Sequence, residues 1–153
     1  MKAITLWQPW ASAVALQQKR FETRSWPTKY RGPLAIHASS RINSEDNATF
    51  TRNLLCLHQI DLDVWNEYCE CEYKFLPFGE VVATCDLIDC FRIEKARPGT
   101  TEELWGDYSP GRFAWKLQNI QRLTTPIPAT GRQGLWEWQT TLASKENLQL
   151  SLL

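Results

Sequence analysis

The sequence predicts an α+β fold, a small β-barrel with flanking α-helices, on three observations. Segments that read as strands outnumber those that read as helices. Irregular connections join them, which argues against regular strand–helix alternation and a doubly wound sheet. The 153 residues are 43% hydrophobic and 22% charged, a mixture that suits one core built without disulfides or metal. The organisation reads as a single domain over 1–140, followed by a polar tail, 141–153, with the composition of a partly disordered segment.

Taken in order, residues 4–7 read as a strand. Pro9 suits the first turn of an Ala-rich helix running from Trp10 to about Lys19. Residues 21–26 are extended, because Pro27 disfavours helix at the residue before it. A basic loop, 27–33, leads into 34–38, where Leu34, Ile36 and Ala38 face the core and His37 faces away. Ser44 caps a helix through Phe50, Leu54 and Leu57, and an acidic helix over 64–73 follows. Residues 80–93 alternate as a strand with Val81, Ala83, Cys85 and Leu87 on one face. Thr100 to Glu103 match a capping box for a short helix ending near Gly106. Residues 112–117 form a strand, the TTPIPATGRQG stretch a loop, and 135–138 a last strand.

Net charge is zero, with 17 basic and 17 acidic side chains, which excludes a globally basic polyelectrolyte. The charges are nonetheless segregated. Residues 17–41 carry a balance of +5, residues 60–107 one of −8, and residues 108–153 one of +3. Such separation points to one basic face for an anionic partner. No apolar run approaches the ~20 residues of a membrane helix, and Gln8-Pro9 interrupts the signal-like opening stretch, so a membrane is not an expected partner. Five cysteines, an odd number, fit a reducing, cytoplasmic setting.

The densest chemistry lies in QQKRFETRSW, residues 17–26. In an extended chain Glu22, Arg24 and Trp26 share a face, and Lys19 approaches it from the helix end. A cation, a carboxylate, a guanidinium fork and an indole then surround one spot. The fork suits a phosphate or a carbonyl oxygen, the indole a nucleobase. A desolvated Lys19 would also serve as base or nucleophile. The bland alternative has Lys19 and Arg20 complementing a helix C-terminus and Glu22 and Arg24 forming a surface pair. His37 either lines the same cleft or is a satisfied structural histidine. Arg132 sits in the glycine-flanked GRQGLW stretch, which either approaches a phosphate through its backbone or simply turns between strands. Tyr30, Trp105, Tyr108 and Trp136 are further candidates for stacking, with at least half of the eight tryptophans assigned to the core.

The segment LWQPWASAVALQQKRFETRSWPTKYRGPLAIHAS closely resembles the opening of ASCH domains (activating signal cointegrator homology). The family hallmark G-x-K-x-x-E-x-R is matched by Lys19, Glu22 and Arg24, with Gln17 in place of the glycine. The QPWA box at 8–11, the SW-x-T-x-x-RG stretch at 25–32 and VVATCDLIDC at 81–90 look like the cointegrator-type branch. The resemblance covers residues 3–138. It implies a PUA-like barrel with flanking helices, the hallmark motif lining a cleft between barrel and first helix, and a link to RNA metabolism and transcription co-regulation. One compact bacterial branch of this fold hydrolyses the acetyl group from N4-acetylcytidine with a Lys, a Thr and a Glu. Lys19 matches that Lys, while Glu22 stands where the Thr falls. Because a glycine at a helix C-terminus usually adopts a left-handed conformation, Gln17 implies a slightly different helix exit.

Two functions follow as expectations. In the first, nucleic acid, RNA or DNA, binds through Trp10, Lys19, Glu22, Arg24, Trp26, Lys29, Arg31, His37, Arg132 and Trp136. In the second, Lys19 and Glu22 are catalytic in a small amidohydrolase acting on a modified nucleoside. No cofactor is expected. No metal is expected either: Cys56-x-His58 and Cys69-x-Cys71 lack zinc-knuckle spacing, and Cys85 alternates into the core. A monomer is expected.

Overall fold

The computed structural model describes residues 1–41, 76–95, 99–103 and 105–139 of the chain. In chain order these form β1 (Lys2–Leu6), α1 (Trp10–Ala15), β2 (Phe21–Arg24), β3 (Gly32–Ala38), β4 (Glu80–Arg92), α2 (Thr100–Glu103), β5 (Phe113–Pro128) and β6 (Leu135–Glu137). The strands make one mixed sheet in the order β2-β5-β4-β3-β1-β6. It curls into a half-barrel, as the α+β expectation requires. Only β1 and β3 run parallel; the other neighbours are antiparallel. The helices expected within 44–73, the paired Cys and His of 56–71 and the tail beyond 139 lie outside the described residues.

The main core fills the concave side. Ile4, Leu6, Leu34, Ile36, Val82, Ala83, Cys85, Leu87, Trp115 and Leu117 pack there with α1. Alanines make this possible: Ala11, Ala13 and Ala15, with Ser12 and Val14, are all buried, so the short helix is enclosed on every side. Gln8 anchors its start. Its Oε1 accepts the Ser12 N–H at 3.1 Å while its Nε2 donates to Pro77 O at 2.7 Å. Burial pushes the Cys85 thiol up to about 12, so this cysteine behaves as a core residue.

The structure departs from the sequence reading in four places. First, α1 stops at Ala15 rather than continuing to Lys19, because Gln17 adopts φ +60°. Its N–H bonds to Val14 O, and those of Gln18 and Lys19 both turn back to Ala13 O. The left-handed exit that a glycine would supply is therefore kept, with glutamine in it. Second, both faces of β3 are buried, for Ala35 joins a second cluster with Ala3, Val81, Leu123, Trp136 and Trp138. Third, a register shift between Val81 and Ala83 breaks the expected alternation of β4. Val82 and Ala83 thus both reach the main core, and Val81 crosses to the second cluster.

Fourth, β5 runs on through the TTPIP segment read as loop. Ile127 pairs with Val81, and Ala129 N–H donates to Gly79 O at 3.0 Å. Pro126 and Pro128 have the opposite parity, so their nitrogens face away from β4. Beyond Lys116 that side of β5 has no strand partner among the described residues, and a missing N–H breaks no ladder bond.

Candidate functional site

The left-handed turn at Gln17 swings Lys19 inward, and the ammonium ends 1% exposed. Its Nζ donates to Phe21 O and to Trp105 O, both at 2.7 Å, and lies 3.2 Å from Glu22 Oε2. An ammonium has three protons, and all three are engaged. Desolvation pulls Lys19 below the ordinary lysine range, with the Glu22 carboxylate working against that shift.

On β2 the period of two puts Glu22 and Arg24 together. Glu22 Oε1 is 2.9 Å from Arg24 Nε, and Arg24 Nη2 donates to Thr5 O at 2.9 Å. Phe21 and Thr23 take the opposite face: Phe21 meets Phe91 edge-on at 6.1 Å, and Thr23 Oγ1 accepts the Asp107 N–H at 3.2 Å. The hallmark triad is thus one continuous polar chain. It ties β2 to β1 and to the 105–107 turn.

Around it opens a cleft of about 1160 Å³. The end of β1, the start of α1, β2, residues 37–41, the 105–107 turn and the 129–134 loop supply its walls. Of the residues singled out in the sequence, Trp10, Lys19, Glu22, Arg24, Trp26, His37 and Arg132 line it. Three do not. Lys29 and Arg31 lie in the exposed 27–31 segment, where Arg31 Nη2 is 3.5 Å from Asp89 Oδ1 and Nη1 donates to Thr28 O and Tyr30 O. Trp136 stands behind the wall, 8% exposed, its Nε1–H donating to Thr5 Oγ1 at 3.2 Å and its ring edge-on to His37 at 5.6 Å. Of the further stacking candidates, Trp105 lines the cleft but is 1% exposed, Tyr108 is buried outside the lining, and the Tyr30 hydroxyl donates to Pro33 O at 2.5 Å away from the cleft.

His37 is both structural and cleft-lining. Its Nε2 is 3.0 Å from Ala129 O, an acceptor, so Nε2 carries the proton. Its Nδ1 lies against Gly131: a Cβ there would fall 2.6 Å from Nδ1 and 2.8 Å from Thr5 Oγ1. Burial holds the His37 pKa below the usual histidine value, so the ring is neutral near pH 7. Gly131 therefore owes its identity to packing, and Gly134, with φ +69°, to the turn into β6.

Trp7, Arg41 and Arg112 also line the cleft and were not selected from the sequence as site residues. Arg112 donates from Nη2 to Thr23 O at 3.2 Å, and its Nε lies 3.4 Å from Asp107 Oδ2. The only signal for the two arginines was the local excess of positive charge; for Trp7 it was its place beside the QPWA box. Counted by side chain, Lys19, Arg24, Arg41, Arg112 and Arg132 face two lining carboxylates, Glu22 and Asp107. Within a net-neutral chain the cleft lining thus carries five of the 17 basic side chains and a local excess of positive charge.

Comparison with known proteins bears on the family and the fold. Activating signal cointegrator 1 from Mus musculus and from Homo sapiens are each 28% identical to the chain over 138 residues, or 88% of it. The chain spans about a fifth of those proteins, 22% of their length. Crystal structures of ASCH from Zymomonas mobilis, and of a point variant of it, share the fold. Both give a TM-score of 0.52, at 13% and 15% identity, over 97% of this chain and 93% and 94% of theirs. The ASCH domain family model matches residues 4–127, more than four fifths of the chain, and the chain belongs to that family.

Proposed function

We propose that this ASCH domain binds nucleic acid in the cleft beside Lys19, Glu22 and Arg24. The observation that carries the reading is the gathering of five cationic side chains against two carboxylates in one cleft of a chain with no net charge. A polyanion gains from such a site by releasing its counterions. The Lys19–Glu22–Arg24 chain, anchored by the buried Lys19, then acts as a scaffold that fixes the cleft wall and holds one guanidinium in place. The test is titration of fluorescently labelled RNA and DNA strands by anisotropy across a salt series. Affinity should fall on a log–log slope of about 0.7 per phosphate neutralised on a single strand. A flat salt dependence overturns the reading.

A second reading, hydrolysis of N4-acetylcytidine-type nucleosides, draws on the lowered pKa of Lys19 and its contact with Glu22. Against it stands the commitment of all three Lys19 protons to Phe21 O, Trp105 O and Glu22. A nucleophilic amine keeps only two N–H donors, so it could hold both carbonyls only by giving up Glu22 and pointing its lone pair at that carboxylate. Acetate release from N4-acetylcytidine, compared between wild type and Lys19→Met, decides between them. The binding reading expects no turnover in either, and turnover lost with Lys19 would replace it.

A further inference from the structure

Seven of the eight tryptophans lie among the described residues, and their exposures separate them. Trp105, Trp115, Trp136 and Trp138 are buried. Trp26 sits edge-on to Trp115 at 4.7 Å and packs on the main core, and Trp10 is half-buried. Trp7 alone of the seven is exposed, at 40%, on the rim of the cleft. Its carbonyl accepts the Ala11 N–H at 3.2 Å, but its indole makes no hydrogen bond or ring contact among the described residues. The fold uses the backbone of this residue and leaves its ring to solvent.

The cations of the cleft divide in a matching way. Lys19, Arg24 and Arg112 are held by Glu22, Asp107 and backbone carbonyls. Arg41 and Arg132 are exposed and make no ion pair among the described residues. Unspent positive charge and an unspent aromatic face therefore meet at one opening. An apolar peptide would use the indole and leave the arginines idle; a simple anion would do the reverse. An unpaired nucleotide uses both, for it carries a π-face and a phosphate. Duplex bases are already stacked on one another and offer no such face along their length.

We propose, on the nucleic-acid reading above, that Trp7 is a stacking platform for an unpaired base whose flanking phosphates sit on Arg41 and Arg132. The domain is then selective for single strands over duplex. The experiment measures the anisotropy of one labelled ten-nucleotide strand, alone and annealed to its complement. The proteins are wild type, Trp7→Ala, Trp7→Phe and Arg132→Ala, with circular dichroism to confirm folding. Wild type should bind the single strand more tightly than the duplex. Trp7→Ala should weaken single-strand binding by roughly five- to a hundred-fold, the loss of one stacked base, without changing the salt slope. Trp7→Phe should keep most of the affinity, and Arg132→Ala should make the single-strand salt slope shallower by about 0.7. Salt-dependent binding with Trp7→Ala equal to wild type, or duplex bound as tightly as single strand, overturns this proposal and leaves the binding reading standing. Salt-insensitive binding, or none, overturns that reading and this one together.

Discussion

Replacing Lys19 by alanine removes an ammonium that holds Phe21 O, Trp105 O and Glu22 from a position closed to water. Two carbonyls lose their lysine donor and Glu22 is left with Arg24 alone, and breaking a buried pair of this kind costs about 3–5 kcal/mol. Chemical denaturation of Lys19→Ala should show that loss; a change under about 1 kcal/mol would mean that water takes over the lysine's role. His37 gives the pH dependence. Its folded pKa lies below the unfolded value, so between the two the unfolded chain binds more protons and stability rises with pH. Unfolding midpoints should therefore fall as the pH drops through the ordinary histidine value, and His37→Gln should flatten that part of the curve. The shared face of Glu22 and Arg24 was legible in the sequence, since it needs only the two-residue period of a strand. The third acceptor of Lys19 was not, because Trp105 O is brought there by tertiary folding from 86 positions away.

At the level of elements, the 129–134 loop is seated by close contact. Gly131 lies so near His37 and Thr5 that a methyl group must push the loop outward, carrying Arg132 with it. Gly131→Ala should destabilise the fold by about 1–3 kcal/mol, the usual cost of overpacking. The double variant with His37→Ala should recover part of that loss, and thermal melts of the two show whether it does. Strands whose side chains alternate cleanly, such as β1 and β2, were readable within a residue or two. β4 was readable in extent but not in facing, because its register shifts move Val81 to another cluster and no local pattern announces them. β5 extends well past the expected end at Leu117, and its prolines argue locally against a strand; their place on an edge unpaired among the described residues depends on sheet order, which local sequence does not encode. The end of α1 was misread for a related reason, as glutamine seldom takes the left-handed turn it makes here.

For the molecule as a whole, position of charge matters more than its sum. Exposed charges are screened beyond about 8 Å at physiological salt, so a polyanion senses the cleft and not the total. Arg132→Glu and Lys116→Glu change net charge equally, yet only Arg132 lines the cleft. Stopped-flow association with a labelled strand should slow severalfold for the first and barely for the second. Equal slowing would mean that the global field steers the ligand. The other whole-molecule feature is the seam between β1 and β6. There the Met1 amino group donates to Trp138 O at 3.0 Å, Trp138 N–H returns a bond to Met1 O at 2.8 Å, and Lys2 Nζ lies 2.6 Å from Glu137 Oε1. Met1 and Trp138 thus lie side by side at the edge of the sheet. A bead strung at a single point can be spliced into a host chain without stretching it, or sewn into a ring and reopened elsewhere. A circular permutant that keeps the whole sequence and joins residue 153 to Met1 through a short Gly-Ser bridge should melt within about 5 °C of the parent.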